Sequence, residues 1–473
     1  MSFSTAARLL PSRFRIVLTS FLQQPGLPFA QILPEERIAA AFAEEHVSFA
    51  QEEGGIYTPA VTLWAFLSQV LFKGEQRSCI AAVSRVVVLL VGLGRQPPSG
   101  DTGVYCRARA KLPEVVLRRL TGELADGCER DLPQRWLWHG RHVKLVDGST
   151  ASMPDTLANQ AQYPQHTAQQ PGLGFPITRF VVLLSLASGM ACDMAQGPFA
   201  GKETGEMALL RELLSRLNPR DILLADRYYC SYFMICLLLA AQVDFVVRLH
   251  HMRKADFRRG KSLGAGDHIV QWLRPDKPEW MDQATYDQMP QSISVREVEV
   301  AVPQPGFRPE KLVIVTTLLD ARQYTRNGVA ELYHRRWLAE LDLFSIKVTL
   351  GMDVLRCKTP EMVRREIWSC LLVYNLVRQT ILNTATSRAR SPRQISFTAA
   401  MQQIAAGWDT VVLMDDTTLI VLLEHHQQAL AQHQIGDRPD RVEPRAIKRR
   451  PKPHKLLTKS RREARAELLA GKR

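Results

Sequence analysis

The stretch ELYHRRWLAELDLFSIKVTLG, residues 331–351, contains the most informative pattern of the chain. Its four key residues are Tyr333, Arg336, Glu340 and Lys347. On a helix that turns about 100° per residue, these four fall within one stripe roughly 60° wide. A carboxylate flanked by two cations and a phenol is poor material for an apolar core. The stripe therefore predicts a site that holds a metal ion and a phosphate together.

A charged stripe on a helix is commonly a solvated face, and the pattern alone leaves this alternative open. Glu331 and Asp342 fall on the opposite side of the predicted helix and would supply a separate polar face. The stripe also has apolar neighbours, Trp337, Leu341 and Phe344, which we expect to be buried. Both features favour a functional stripe over a solvated face.

Two aspartates elsewhere share a distinctive setting. Asp147 ends the run KLVD and Asp226 ends the run LLAD, so each is predicted at the carboxyl end of a short buried strand. Gly148 and Ser149 predict a tight turn after the first strand. Functional groups collect at strand ends in an open sheet, although a single strand-end Asp is more often a cap or turn residue.

Together with Glu340, the two aspartates supply three carboxylates for metal-assisted phosphodiester cleavage. Mg²⁺ prefers hard oxygen ligands, and two ions about 3.5–4 Å apart can serve the attacking and leaving oxygens. We expect Asp147, Asp226 and Glu340 to be catalytic and to bind two Mg²⁺ ions, for which Mn²⁺ can substitute, with Asp147 bridging both. Arg336 would orient Glu340 or hold a phosphate.

The charge of the chain points to a polyanionic partner. The 473 residues include 61 Lys and Arg against 47 Asp and Glu, a net charge of +14, and 46% are hydrophobic. Residues 437–473 alone contain 14 Lys and Arg and 5 Asp and Glu. This Pro-interrupted tail is predicted to be disordered and to grip DNA phosphates, with a solubilising role as the alternative.

A second basic segment precedes a strand-rich region. It contains Arg253, Lys254, Arg258 and Arg259 within residues 250–261. We expect these side chains to follow a DNA backbone, and a solvated loop remains the alternative.

The remaining composition predicts a cytoplasmic protein without a membrane segment. The eight cysteines lack the spacing of a zinc or redox motif and are predicted to be reduced. The most apolar run, residues 233–241, is too short to cross a bilayer. Arg13 and Arg15 interrupt any signal-peptide core in the first 24 residues.

Changes in periodicity divide the chain and predict an α/β fold. Apolar residues recur at helical spacing near the N-terminus, strands come first and then alternate with helices in the centre, and a strand-rich block interrupts this pattern. The predicted parts are a helical N-terminal DNA-binding domain (1–135), a catalytic core (136–249 and 327–400), a β-rich insertion (250–326), a C-terminal helical segment (401–436) and the basic tail (437–473).

The chain resembles the bacterial insertion-sequence transposases of the Asp-Asp-Glu type, and in particular the group with the signature Tyr-x2-Arg-x3-Glu-x6-Lys. The signature is matched by the four residues of the opening stripe. The phrases Asp147-Gly148-Ser149 and Asp226-Arg227-x-Tyr229 match as well. The resemblance covers about residues 100–382.

This resemblance implies a ribonuclease-H-like core with a β-rich insertion between the second Asp and the Glu. It implies nicking at the ends of a mobile element, a hairpin in some members, and strand transfer into double-stranded target DNA by a dimer that pairs two ends. Tyr333, Arg336 and Lys347 would contact DNA near the cleaved end, and Trp337 would support distorted DNA. Trp272 and Trp280 are candidates for stacking on a flipped base, with plain packing as their alternative.

Two rival functions remain open. A related metal-dependent nuclease or resolvase would share the core but lack strand transfer, and the sequence separates it poorly from a transposase. A transposase-derived DNA-binding protein would need no catalysis, and the intact set of three acids argues against it.

Overall fold

A computed structural model gives the structure of the chain. It describes residues 33, 35–50, 55–92, 96–302, 310–408, 414, 416–435 and 456–470. Predictions for the first 24 residues and for most of the basic tail lie outside these residues. The chain forms two compact units that alternate along the sequence. The first comprises Met1–Leu137, Ala187–Asp193 and Leu341–Gly436, and the second comprises Trp138–Leu186, Met194–Glu340 and Asp437–Arg473.

The helices and strands follow one another in an α/β order. The helices are α1 (Glu35–Glu44), α2 (Pro59–Leu71), α3 (Cys79–Gly92), α4 (Thr102–Ala110), α5 (Glu114–Arg130), α6 (Leu157–Gln162), α7 (Glu206–Leu213), α8 (Tyr232–Ala240), α9 (Gln283–Gln288), α10 (Arg326–His334), α11 (Trp337–Phe344), α12 (Pro360–Ser387), α13 (Phe397–Gly407), α14 (Asp416–Gln432) and α15 (Arg461–Leu469). The strands are β1 (Val143–Ser152), β2 (Ile177–Ser185), β3 (Ala191–Pro198), β4 (Ile222–Ala225), β5 (Asp244–Arg248), β6 (Lys261–Gly264), β7 (Asp267–Leu273), β8 (Ser292–Val302) and β9 (Glu310–Thr316). The α/β class predicted from the sequence is confirmed.

The first unit is helical around α12, which packs against α2, α5, α13 and α14. Helix α2 is buried on all sides, since every residue from Ala60 to Leu71 is buried. Its start is set by Thr58, whose side chain accepts a hydrogen bond from the Val61 amide at 3.2 Å, and by Pro59 in the first turn.

The described residues of the sheet form nine strands in the order β3-β2-β1-β4-β5-β9-β8-β7-β6. Strand β1 is antiparallel to β2 and parallel to β4, and β4 is parallel to β5. Strands β5 to β9 pair antiparallel, so residues 250–326 supply β6 to β9 and extend the same sheet. Strand β2 is an inner strand, as its apolar run predicts, with Phe180 to Leu184 at 0% exposure.

The opening stripe does not lie on one straight helix, contrary to the sequence prediction. Helix α10 ends at His334, and a turn at Arg335 and Arg336 separates it from α11. The amide of Arg336 bonds to the Tyr333 carbonyl at 3.0 Å, and the Ala339 amide bonds to the Arg336 carbonyl at 2.9 Å. These bonds span three residues rather than four, so the chain is locally tightened. A five-residue π-helix, Ser345–Thr349, follows α11 and contains Lys347.

The predicted exposure of this segment is also wrong on both faces. Asp342 was expected on a solvated face, but it is 0% exposed and bonded to Arg378 and Arg393. Conversely, Trp337 and Phe344 were expected to be buried and are 56% and 57% exposed. A buried carboxylate needs cationic partners, and these come from distant parts of the chain that a helical wheel does not include.

Part of the predicted disordered tail is helical in the structure. Helix α15 begins with a capping box at Ser460, whose hydroxyl accepts from the Glu463 amide while the Glu463 carboxylate accepts from the Ser460 amide. Local capping therefore outweighs the basic composition over these residues. Among the described residues, none of the helices is long and apolar enough to cross a membrane.

Replacing Asp342 by Asn should lower the free energy of unfolding by about 3–5 kcal/mol, because two buried guanidinium groups lose their partner. Arg393 Nη1 lies 2.8 Å from both Asp342 oxygens, and Arg378 Nη2 contacts Oδ1. Chemical denaturation measures the change. Glu424→Gln, at an exposed carboxylate of α14, is the matched control. Equal stability of the two variants would contradict the assigned role of Asp342.

Candidate active site

Asp147 and Asp226 are brought together by the register of two parallel strands. Lys144 pairs with Leu223 and Leu145 with Leu224. Continued by two residues, the same register brings Asp147 level with Asp226, just past the end of β4. Polar groups at this end of parallel strands are well placed for a site.

Gly148 and Ser149 do not form the predicted turn. Strand β1 continues to Ser152 against β2, with Asp147 opposite Val182 and Gly148 opposite Val181. Only the parallel partner β4 ends early, and this opens one side of β1 beside Asp147. The reason for glycine at position 148 is a close approach: an added Cβ would lie 2.3 Å from Cδ of Glu206.

Glu206 was not assigned to the site by sequence reasoning, although the structure places it there. It is the first residue of α7, and its Oε2 accepts a hydrogen bond from the Tyr229 hydroxyl at 3.1 Å. Tyr229 lies in the short turn after Asp226. A carboxylate directly after Gly205 carried no usable signal, because its neighbours in space come from β1 and from the turn after β4.

Arg336 links the third predicted carboxylate to the first. Its Nη2 donates to Glu340 Oε1 at 2.6 Å, and its Nη1 lies 4.0 Å from Asp147 Oδ2. The phenol of Tyr333 is a further hydrogen-bond partner of the same guanidinium. Tyr333, Arg336 and Glu340 therefore stay together despite the turn that breaks the helix, and Arg336 contacts both Glu340 and Asp147.

Burial and mutual repulsion shape the electrostatics of the cluster. Burial raises the pKa of Asp147 to about 6, and the charges of Asp226 and Glu206 add to this rise, while the Gly148 amide at 2.9 Å and Arg336 oppose it. The pKa of Glu206 is raised by burial and by Asp226. Burial also raises the pKa of Tyr333 to about 12, so its phenol stays protonated at neutral pH.

The donor set suits a hard divalent cation. Asp147, Asp226 and Glu206 are carboxylates that repel one another in a partly buried setting, and a cation would offset this charge. Glu340 is half-exposed and bonded to Arg336. Within the part of the chain that the structure describes, no three His, Cys, Asp or Glu side chains are already grouped as a metal cage.

The other predicted site residues occupy different environments. Trp337 is largely exposed, and Lys347 is half-buried within the π-helix, a type of irregularity that is common at functional sites. Trp272 is 6% exposed, donates to Glu297 Oε1 at 2.9 Å and has the Arg253 guanidinium 4.2 Å from its ring centre. Its packing role is therefore the one observed. Trp280 lies 4.0 Å below the Arg211 guanidinium and is half-exposed.

The basic loop of residues 250–261 is fixed to the sheet at its base and open at its tip. His268 binds the Arg259 carbonyl at 2.7 Å and Glu297 Oε2 at 2.9 Å. The side chains of Arg258 and Arg259 are 90% and 84% exposed, and both pair with Asp256. The loop thus presents cations to solvent from a defined position.

A cavity of about 900 Å³ opens next to the acidic cluster within the second unit. It borders Gly205 and Tyr228, which are the neighbours of Glu206 and of the Asp226 turn. Its cationic and aromatic lining includes Arg179, Arg211, His250, Arg253, Phe199 and Trp280. Such a lining suits an anionic ligand with planar rings.

Comparison with known proteins gives three findings. The family described as Transposase DDE domain matches residues 138–376. The chain is 26% identical over 341 residues to the transposase InsG for insertion sequence element IS4 of Escherichia coli, covering 71% of this chain and 73% of that protein. A solved structure, the piggyBac transposase synaptic complex with hairpin DNA, aligns with a TM-score of 0.41 and 10% identity over 91% of this chain and 87% of that one.

Asp147→Asn should stabilise the metal-free protein at pH 7.5 by about 1–3 kcal/mol. The pKa of Asp147 is raised to about 6 on folding, so this carboxyl favours the folded state below its unfolded pKa and loses that contribution as pH rises through 6. Asn keeps an acceptor for the Gly148 amide without the charge. The gain should shrink to near zero at pH 4.

Thermal unfolding with EDTA at both pH values measures this difference. Asp276→Asn, at an exposed carboxylate of the same unit, is the control. A loss of stability at pH 7.5, or an equal gain at both pH values, would show that the Asp147 charge is not strained.

Proposed function

We propose that this chain, which belongs to the transposase DDE domain family and is a DNA transposase, cuts the ends of its own insertion sequence and joins them to target DNA. The observation that carries the proposal is the register that brings Asp147 beside Asp226, with Arg336 bonded to Glu340 and 4.0 Å from Asp147. The similarity to a transposase of an insertion sequence supports the same substrate for this chain.

The catalytic core is proposed to be ribonuclease-H-like. The strand order β3-β2-β1-β4-β5, with one antiparallel and two parallel pairings at its centre, supports this assignment. Residues 250–326 would be the insertion, since they lie between Asp226 and Glu340 and extend the sheet from β5. Residues 1–135 would form the DNA-binding helical domain, and 401–436 and 437–473 a helical segment and a basic DNA-contacting tail.

Family membership implies dependence on a divalent metal, and we propose Asp147, Asp226 and Glu340 as its ligands. Two Mg²⁺ ions, or Mn²⁺ in their place, would activate the attacking oxygen and stabilise the leaving oxygen of the phosphodiester. The residues around them position the DNA. Arg336, which lies beside Glu340 and Asp147, would hold a phosphate of the DNA next to the residues proposed to bind the metal.

The remaining residues of the signature would contact the cleaved end. Tyr333 stays protonated and can donate a hydrogen bond to a phosphate. Lys347 supplies a point charge, and the exposed ring of Trp337 can pack against distorted DNA. We place the activity in the cytoplasm on nucleoid DNA, and a dimer would pair two element ends.

Two alternatives can be separated from transposition by products. A nuclease or resolvase of the same fold would cut the ends without joining them to a second duplex. A DNA-binding derivative would bind the ends without any nicking. Incubation with Mg²⁺, end-bearing DNA and a supercoiled target would yield joined products for a transposase alone.

Asp147→Asn, Asp226→Asn and Glu340→Gln should each abolish metal-dependent cleavage of the element ends while leaving DNA affinity intact. Each change removes one negative charge and keeps the shape of the side chain, so the metal loses a ligand. Gel assays with Mg²⁺ and Mn²⁺ follow cleavage, and anisotropy follows binding. Glu331→Gln, at an exposed carboxylate of α10, should cleave normally. Wild-type cleavage by any of the three variants would remove that residue from the mechanism.

The double variant Arg258→Gln, Arg259→Gln should weaken DNA binding equally for end and random sequences. Contacts to phosphates carry no sequence information, and each contact contributes about 0.9 to the slope of log affinity against log salt. The slope should therefore become shallower by about 2. Arg322→Gln, at an exposed arginine outside the loop, should leave it unchanged. An unaltered slope in the double variant would assign the loop to the solvated alternative.

A further inference from the structure

Glu206 lies against the backbone of β1 beside the first catalytic aspartate. A Cβ atom at Gly148 would stand 2.3 Å from Cδ and 2.6 Å from Oε1 of Glu206. These distances are far below a van der Waals contact, so any side chain at position 148 would push the Glu206 carboxyl group aside. Glycine at position 148 therefore makes room for a carboxylate next to Asp147.

The same carboxylate is held from the other side by the turn that carries Asp226. The Tyr229 hydroxyl donates to Glu206 Oε2 at 3.1 Å, and the Tyr229 ring is 0% exposed. Asp226 itself caps this turn by accepting from the Tyr228 amide at 2.8 Å. Glu206 thus spans the two segments on which Asp147 and Asp226 sit.

A role in folding alone does not explain a negative charge at this position. A glutamine would fill the same space and accept the same hydrogen bond from Tyr229 without repelling Asp147 and Asp226. The charge of Arg179 partly opposes the rise in the pKa of Glu206, while the Arg179 guanidinium donates a hydrogen bond to the Thr204 carbonyl at 3.0 Å. The charge of Glu206 is therefore a cost to the metal-free fold that a bound cation would reverse.

We propose that Glu206 is a fourth carboxylate of the divalent-cation site, a positioning residue that fixes the separation of Asp147 and Asp226 and adds its charge to the field that holds the cation. This inference rests on the proposed function and adds to the three predicted acids. It assigns Gly148 and Tyr229 to the site as well, because they set where the Glu206 carboxylate lies.

The test measures cation binding by the metal-free full-length protein without DNA. Mn²⁺ is titrated by calorimetry or by its paramagnetic resonance signal, and thermal unfolding is recorded in EDTA. Glu206→Gln should weaken Mn²⁺ binding about 10-fold or more, as loss of supporting groups does at metal sites. Its unfolding midpoint in EDTA should be equal to or higher than that of the wild type.

Two further variants separate charge from position. Tyr229→Phe keeps the charge but releases its anchor, and Gly148→Ala displaces the carboxylate, so both should weaken Mn²⁺ binding less than Glu206→Gln does. Glu212→Gln, an exposed glutamate on the same helix, should bind Mn²⁺ as the wild type does.

The outcomes are distinct. If Asp147→Asn weakens Mn²⁺ binding and Glu206→Gln does not, the inference fails and the proposed function stands. If Glu206→Gln weakens binding but also lowers the unfolding midpoint, Glu206 has a structural role and the inference fails. If Asp147→Asn binds Mn²⁺ normally, the proposed metal site itself fails.

Discussion

The parallel pairing of β1 with β4 sets the position of Asp147 relative to Asp226, and the candidate site depends on this pairing. Backbone hydrogen bonds fix which residue of β1 stands beside which residue of β4, and a shift by one residue would turn each side chain to the other face. Strand β4 has only four residues, all buried, and it lies between β1 and β5. The register is therefore strongly specified, and the two aspartates are adjacent because the strands that carry them cannot slide.

The sequence predicts the parts of this arrangement that depend on local pattern. The apolar runs before Asp147 and Asp226 identify both strands, and the α/β class follows from the alternation of strands and helices. The turn predicted at Gly148 is wrong because glycine has two uses. It permits unusual backbone angles, and it permits close approach. The second use depends on a neighbour in space, Glu206, and no local pattern contains that information.

The segment that carries Tyr333, Arg336, Glu340 and Lys347 shows a second reason why a local sequence pattern does not predict the structure. A helical wheel assumes hydrogen bonds four residues apart, but the chain at Arg335 and Arg336 uses bonds three residues apart, and the π-helix at Ser345–Thr349 uses wider ones. Tyr333, Arg336 and Glu340 are still in contact. The tightened turn moves their backbones only slightly, and the long side chain of Arg336 spans the remaining distance. A helical wheel does not predict the exposure of Trp337 or the burial of Asp342, because each depends on which groups of other elements pack against that residue.

The carboxylates of Asp147, Asp226 and Glu206 destabilise the metal-free fold, because they are close together and partly buried. The pKa of Asp147 is raised to about 6, chiefly by burial, so keeping this carboxylate ionised at neutral pH costs on the order of a few kcal/mol. A domain with an ordinary stability of about 5–15 kcal/mol can carry such a term only if other parts of the fold offset it. The buried strands β2 and β4 supply that reserve through their apolar side chains. The apolar sheet thus keeps Asp147 close to other carboxylates that would separate on a softer scaffold, and a bound cation would offset their mutual repulsion.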